Sequence, residues 1–515
     1  MFVNIQLAEE IPHGQKSMDQ NNNNKHSRRE FLKAGAGALG ALRIAGNSSG
    51  VASGKPAPSA RRPNFVFFLG EGVRADEFHS TGNRIISTPH LDRIVREGIT
   101  FRNAFVTYAL CLPSRASIMT GLYPHATGAI DNRSRIIPDD VPTIADMLRD
   151  AGYEIAFFGK AHIENLYKRE WDMYFGIQAA GANYYHPVIT ESSHGVVQPA
   201  KQYHGYVDDI LTNRALEWLG QKHDRPYCLF FWFVAPHAPF YRPRHLLDLY
   251  NGVRIPKPAT FDDDLKGYPG KPLAFKNADN KIGTTVLGDD DPRSLEELVK
   301  DHYAGVLSND ENAGKIMDAI EKAGTLDDTA IILSSDHGFF LGEWRFYDKR
   351  FMHEPSIRVP LSIRYPRLLQ TGVARDEMAL NIDLPPTILE LAGIKPPEWF
   401  QGRSLVPFMK GAAPSDWRKD WLYEYFEYPG AEQVKPHRGV RTERYKLIHY
   451  FLAPQEFELY DLHEDPGELH NLYGDPRYAK LTKDLMDRIE QLRKETGDEY
   501  QYEMPNTYEF ERQKL

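Results

Sequence analysis

Four apolar runs constrain the fold of this chain more than any other feature. They are Asn64–Leu69, Ile155–Phe158, Cys228–Val234 and Ala330–Leu333, and none alternates apolar with polar residues. A short continuous run of this kind reads as a strand buried on both faces, as in a parallel sheet covered by helices. The segments between them carry helical periodicity. Thr143–Asp150 is amphipathic and stops at Gly152, and Leu295–Ala323 ends at Gly324 with a break expected near Gly305. Strand and helix in alternation predict an α/β fold with a large, mostly parallel central sheet.

Each run ends in polar, ionisable residues. The first leads into Gly70-Glu71-Gly72-Val73-Arg74-Ala75-Asp76, the second into Gly159-Lys160-Ala161-His162, the third into Pro236-His237, and the fourth into Ser334-Ser335-Asp336-His337-Gly338. In a parallel sheet these ends share one edge, where open α/β sheets bind ligands. Acids and cations in one crevice suggest a metal that neutralises the acids and a cationic cradle for an oxyanion. Taken singly, each has an ordinary alternative. Asp336-His337-Gly338 can be a turn, Glu71 a helix-start acid, Lys160 and His162 surface residues, and His237 a core histidine. The repeated placement weakens those alternatives together.

A further signal is Cys111-Leu112-Pro113-Ser114-Arg115, continuing to Thr120-Gly121. Pro113 suits the first turn of a helix and Gly121 its C-terminal stop. Cys111 then lies at a helix N-terminus, where free N–H groups favour an anion, with Arg115 one turn on adding positive charge on the same side. The chain has two cysteines, Cys111 and Cys228, so a disulfide framework is excluded. Read alone, Cys111 is ordinarily a packed core thiol, and Cys228 is a strand thiol.

C-x-P-S-R followed by T-G resembles the signature of the type I, formylglycine-dependent sulfatases of the alkaline phosphatase superfamily. Other segments resemble that family in the same order: Pro63–Leu69 its opening strand, Thr88-Pro89-His90-Leu91-Asp92-Arg93 its T-P-N-L-D segment, and Gly159-Lys160-Ala161-His162 its G-K-x-H. Ala235-Pro236-His237-Ala238-Pro239-Phe240 is similar to its substrate-histidine strand end, and Asp348–Glu354 with Arg358-Val359-Pro360 to its lysine segment. Val440-Arg441-Thr442 with Tyr445-Lys446, and Glu458–Leu462 with Asp465-Pro466, resemble its C-terminal signature.

The resemblance implies an alkaline-phosphatase-like sandwich and a sulfuric ester hydrolase. It implies that Cys111 is oxidised by a formylglycine-generating enzyme, and that the aldehyde's hydrate attacks sulfur while Arg115 holds it. Glu71, Asp336 and His337 bind a divalent metal together with residue 111. Lys160, His237 and Lys349 cradle the sulfate and assist the leaving oxygen, and His162 takes the proton that expels sulfate. The family usually places two aspartates where Glu71-Gly72 stands, and Asn is common where His337 stands. Ca²⁺ is the expected ion, with Mn²⁺ or Zn²⁺ as alternatives because one donor is nitrogen. The expected substrate is a sulfated sugar or polysaccharide. Alternatives are a phosphonate monoester or phosphodiester hydrolase of the same superfamily, separable by rates on aryl esters, and an inactive glycan-binding homologue, against which the intact motifs argue.

The 515 residues suit a catalytic domain over 63–411 and a small α+β subdomain over 412–515. Aromatic, strand-like segments at Trp421–Tyr428, Tyr445–Tyr450 and Phe457–Leu459, with a helix over Pro476–Glu495, predict an antiparallel sheet with one helix there. Tyr423–Tyr428 and His437–Arg444 are candidates to line a sugar site. Residues 251–292, rich in Gly, Pro and Asp, are expected to form a long loop or lid. Ser27-Arg28-Arg29-Glu30-Phe31-Leu32-Lys33 and the apolar stretch after it resemble a twin-arginine export signal, with a linker to residue 62, and imply a periplasmic or secreted protein. No run is long enough for a membrane span. A net charge of −9 argues against a nucleic-acid binder that works by bulk positive field.

Overall fold

The computed structural model describes residues 62–261, 265, 270–279, 282, 294–368, 372–430 and 432–504. The export-type segment and nearly all of its linker therefore lie outside the described residues.

The four apolar runs are four neighbouring strands. β1 (Asn64–Gly70), β2 (Glu154–Lys160), β3 (Met173–Ile177), β4 (Tyr227–Trp232) and β5 (Thr329–Ser335) run parallel in the order β5-β1-β4-β2-β3. β6 (Leu361–Arg364) is antiparallel to β5, and shorter strands at both edges bring the sheet to eleven among the described residues. Gly70 pairs with Ser335, so Glu71 and Asp336 leave the sheet side by side. The two ends are stitched together: Asp336 N donates to Gly70 O, Gly72 N to Asp336 Oδ1 and Val73 N to Ser335 Oγ.

Helices cover both faces. α1 (Pro89–Glu97), α3 (Val207–Leu219) and α4 (Leu295–Lys322) contribute to one apolar core with Phe68, Phe231 and Phe233. α2 (Cys111–Thr120) lies on the other face, where Arg115 sits 5.3 Å over the Trp232 ring. The break expected at Gly305 is absent, and α4 is continuous. A Cβ at Gly305 would stand 2.7 Å from Pro236 Cβ. The glycine thus serves the close approach of the His237 turn, and tertiary packing overrides its local cost of about 1 kcal/mol. The described part of 251–292 carries buried anchors, Phe261, Lys271 and Phe275, beside the short helix Leu273–Lys276.

The second sheet is antiparallel: β7 (Asp420–Tyr425), β8 (His437–Thr442), β9 (Tyr445–Tyr450) and β10 (Glu456–Asp461), with α5 (Ala479–Thr496) packed on it. Phe105 stacks on Trp421 at 5.4 Å, and residues on both sides of Gly411 fall in one packing unit. The idea that Tyr423–Tyr428 and His437–Arg444 line a sugar site is overturned for their strand residues. Tyr423, Tyr425 and His437 are fully buried, and the His437 ring stacks 5.4 Å from that of Tyr423. Arg438 is buried against Asp498 and Arg441 against Glu354. No helix among the described residues is long and apolar enough to cross a membrane.

Candidate active site

Cys111 is the first residue of α2, whose end is set by Gly121 in the left-handed region. Its Sγ lies at the carboxyl edge of the sheet. It is 3.2 Å from Glu71 Oε1, 3.4 Å from His337 Nε2 and 3.8 Å from Lys160 Nζ. Glu71, Cys111, Asp336 and His337 each offer one ligand atom, and all of these lie within 4.8 Å of one another. The strand ends thus bring together the residues expected from the sequence.

Each acid divides its two oxygens. Glu71 Oε2 accepts from Arg115 Nη2 at 2.6 Å and Lys160 Nζ at 2.8 Å, while Oε1 faces Cys111, His337 and His237. Asp336 Oδ2 accepts from Arg115 Nε at 2.9 Å, while Oδ1 faces His337 Nε2 at 3.5 Å. Arg115 is therefore not aimed at Cys111 from the helix surface. It is wholly buried beneath both carboxylates and also donates to Lys160 O. A guanidinium's fixed fork suits this bridging. Glu71 Oε1, His337 Nε2 and Asp336 Oδ1, which also accepts from Gly72 N at 3.0 Å and keeps a lone pair, face a common centre and can hold a divalent cation with residue 111.

Charge in this dry crevice is strongly coupled. Burial opposes ionisation of Glu71, but Lys160 and Arg115 outweigh it and hold the carboxyl well below the usual range. Burial and the neighbouring Glu71 push Asp336 up to about 6. Burial disfavours the His337 cation, yet Asp336 raises its pKa to about 10. Burial and Glu71 oppose the Cys111 thiolate, but Lys160, Lys349 and His337 bring its pKa well below that of a free thiol. His162, in hydrogen-bonding contact with Cys111, is held down to about 4 by burial, so it is a neutral base near pH 7.

The cradle residues sit on constrained backbone. His162 has φ 55°, and Asp348 and Arg350, on either side of Lys349, have φ 80° and 93°. Non-glycine residues in this region carry strain that the surroundings must hold. His237 Nδ1 donates to Ala238 O, which turns Nε2 toward Glu71, 3.9 Å away. Four supporting residues, Asp348, Arg350, Glu432 and Asp208, have no role assigned from the sequence. Asp348 holds Lys349 Nζ at 2.8 Å and Arg350 Nη1 at 2.7 Å, and Arg350 pairs with Glu432. The Asp348-Lys349-Arg350 charge pattern was the available signal. Asp208 accepts from Val234 N and Ala235 N, fixing the turn that presents His237, and no local pattern marks it.

Comparison with known proteins fits this geometry. The sulfatase family matches residues 63–394, and the C-terminal family of N-sulphoglucosamine sulphohydrolase matches residues 342–495. The chain is 34% identical to an N-acetylglucosamine-6-O-sulfatase of Bacteroides thetaiotaomicron, over 85% of this chain and 87% of that protein. It is 29% identical to the multifunctional alkaline phosphatase superfamily protein PehA of Trinickia caryophylli, over 78% and 88%. Among solved structures, one determined with its substrate D-glucosamine-2-N,6-O-disulfate is similar with a TM-score of 0.79 at 32% identity, covering 85% of this chain and 99% of that one. The match thus spans both the main sheet and the small one that completes it, and the chain belongs to the sulfatase family of the alkaline phosphatase superfamily, enzymes that hydrolyse sulfuric esters.

Proposed function

We propose that this sulfatase removes sulfate from sulfated glucosamine units, with Cys111 converted to formylglycine. The observation that carries the chemistry is the position of Cys111 Sγ, which stands where the hydrate oxygens of the modified residue would be. It lies within reach of Glu71, His337 and Lys160, with Asp336 in the same cluster. The sugar class is supported by the relatives named for N-acetylglucosamine 6-O-sulfate and glucosamine disulfate. The family resemblance also supports one divalent cation.

In this reading one hydrate hydroxyl of residue 111, ionised beside Lys160 and Lys349 with its proton lost to solvent, forms an O–S bond as the S–O bond to the sugar breaks. Lys160 and Lys349 balance charge on the sulfuryl oxygens, and His237 Nε2 hands its proton to the departing alkoxide. The sulfate is then esterified to residue 111. His162, neutral near pH 7, removes the proton from the remaining hydroxyl. The C=O bond re-forms, the C–O bond to sulfate breaks, and water rehydrates the aldehyde. Arg115 keeps Glu71 and Asp336 ionised and fixed throughout. A bound divalent cation supplies Lewis-acid polarisation of the sulfate and lowers the pKa of the nucleophilic hydroxyl.

Sulfate release measured side by side on 6-O-sulfated glucosamine, 2-O-sulfated uronic acid and an aryl phosphodiester tests this. The glucosamine ester should be turned over fastest. A faster phosphodiester would favour the phosphonate monoester or phosphodiester hydrolase reading instead. We also propose twin-arginine export to the periplasm, from Arg28-Arg29 and the apolar stretch after them. A reporter fused after residue 62 should lose export when both arginines become lysines.

A further inference from the structure

We infer that Gly72 and His337 form a matched pair that makes this a nitrogen-containing, carboxylate-poor site for a first-row transition dication, Mn²⁺ or Zn²⁺, rather than for Ca²⁺. The inference rests on the reading of Glu71, Asp336, His337 and residue 111 as the metal site of the proposed sulfatase.

The first observation is the orientation of His337. Its Nδ1 is 2.8 Å from Gly338 O. A carbonyl can only accept, so Nδ1 carries the proton and Nε2 presents its lone pair when the ring is neutral. That Nε2 is the atom facing Cys111 Sγ at 3.4 Å and both acids at 3.5 Å. The side chain is wholly buried, so the ring is placed by the protein and not by solvent.

The second observation is the space beside it. Gly72 has φ +69°, a conformation that side chains rarely adopt. A Cβ there would meet His337 Cε1 at 3.2 Å and Phe339 Cδ2 at 3.1 Å. The imidazole and the phenyl ring thus crowd the first atom of any side chain at residue 72. The protein offers the centre two carboxylate oxygens and one imidazole nitrogen, plus residue 111. Calcium takes six to eight oxygens and does not favour nitrogen, whereas imidazole with carboxylates suits zinc at four-coordination, and manganese with water completing six.

The test is calorimetric titration of chelator-stripped, full-length protein with CaCl₂, MnCl₂ and ZnCl₂ in turn. Mn²⁺ and Zn²⁺ should each bind at least about tenfold more tightly than Ca²⁺. His337→Asn should remove that advantage. Gly72→Asp alone should lower the melting temperature without improving calcium binding, and the double variant Gly72→Asp/His337→Asn should bind calcium more tightly than the wild type. Because a buried-site variant can fail to fold, pulsed electron paramagnetic resonance of the Mn²⁺-loaded wild type supplies an independent readout, and it should show nitrogen coupling from one imidazole. Tighter binding of Ca²⁺ than of both other ions, or absence of nitrogen coupling, overturns the inference. Binding of Mn²⁺ or Zn²⁺ by a protein that releases no sulfate from any ester would leave the inference standing and overturn the proposed function. No binding of any of the three would overturn the metal site itself.

Discussion

Among the described residues, two buried clusters bring histidine and carboxylates within reach of one ion: Glu71, Cys111, Asp336 and His337 at the sheet edge, and His125, Glu424 and Asp498 between α5 and the second sheet. Composition and burial hardly separate them. The direction of the donor atoms does. In the second cluster His125 Nδ1 is 2.7 Å from Glu424 Oε2 and Nε2 is 3.0 Å from Thr496 O, so both ring nitrogens are engaged. Glu424 Oε1 accepts from His125 N, and Asp498 is held by Arg438 and Arg493. In the first cluster Arg115 and Lys160 take Glu71 Oε2 and Asp336 Oδ2 and leave Glu71 Oε1 and Asp336 Oδ1 turned inward, the latter with one backbone bond from Gly72 N. A closed network joins two parts of the fold, whereas an open one can bind.

The largest expected effect is on turnover. Cys111→Ala should lower kcat by roughly five to six orders of magnitude, as removal of a nucleophile does, while keeping the melting temperature. His125→Gln should do the reverse, leaving kcat within about twofold and lowering the melting temperature. Sulfate release by ion chromatography, paired with thermal melts, reads both, and comparable losses of kcat would erase the distinction.

Next comes the response to metal. Arg115→Met leaves Glu71 and Asp336 without their shared partner and should cost about 3–5 kcal/mol of stability, the usual result of breaking a buried ion pair. Arg438→Met should also destabilise, through Asp498. Added divalent cation should recover stability in the Arg115 variant alone, because only there are inward oxygens waiting. Denaturant melts with and without cation decide this.

The smallest effect is in pH dependence, where two buried histidines move in opposite directions. Burial holds His162 down to about 4, so it stays a base until the pH falls toward that value, and the acid limb of kcat should lie well below 6.5. Burial works against the His125 cation too, but Glu424 outweighs it and raises its pKa. A raised histidine contributes stability that is full below the unfolded value near 6.5 and is lost as pH rises through the folded value. Glu424→Gln should flatten that decline without moving the limb of kcat.

How much of this was legible in the sequence follows from which forces act locally. The four buried strands and their polar ends could be read because a two-sided strand leaves a continuous apolar run. Once their shared edge was recognised, Glu71, Lys160, His162, His237, Asp336 and His337 had to converge there. β8 was not legible. His437-Arg438-Gly439-Val440-Arg441-Thr442 reads as part of a basic segment suited to line a sugar site, and its charges are buried only because Asp498 and Glu354 arrive from distant parts of the chain. Gly305 misled for a related reason, since the packing of Pro236 against α4 is a long-range fact. The inward turn of Glu71 Oε1 and Asp336 Oδ1 depends on Arg115 lying beneath them, which spacing along the chain cannot express.

The central claim is that residue 111, as formylglycine, is the nucleophile of this site. The direct test is peptide mass spectrometry of residue 111 across preparations made with graded amounts of a formylglycine-generating partner, each assayed on 6-O-sulfated glucosamine. Turnover should rise in proportion to the fraction of Cys111 converted to the aldehyde and extrapolate to zero at none. Full turnover from protein carrying only the unmodified thiol would contradict the account.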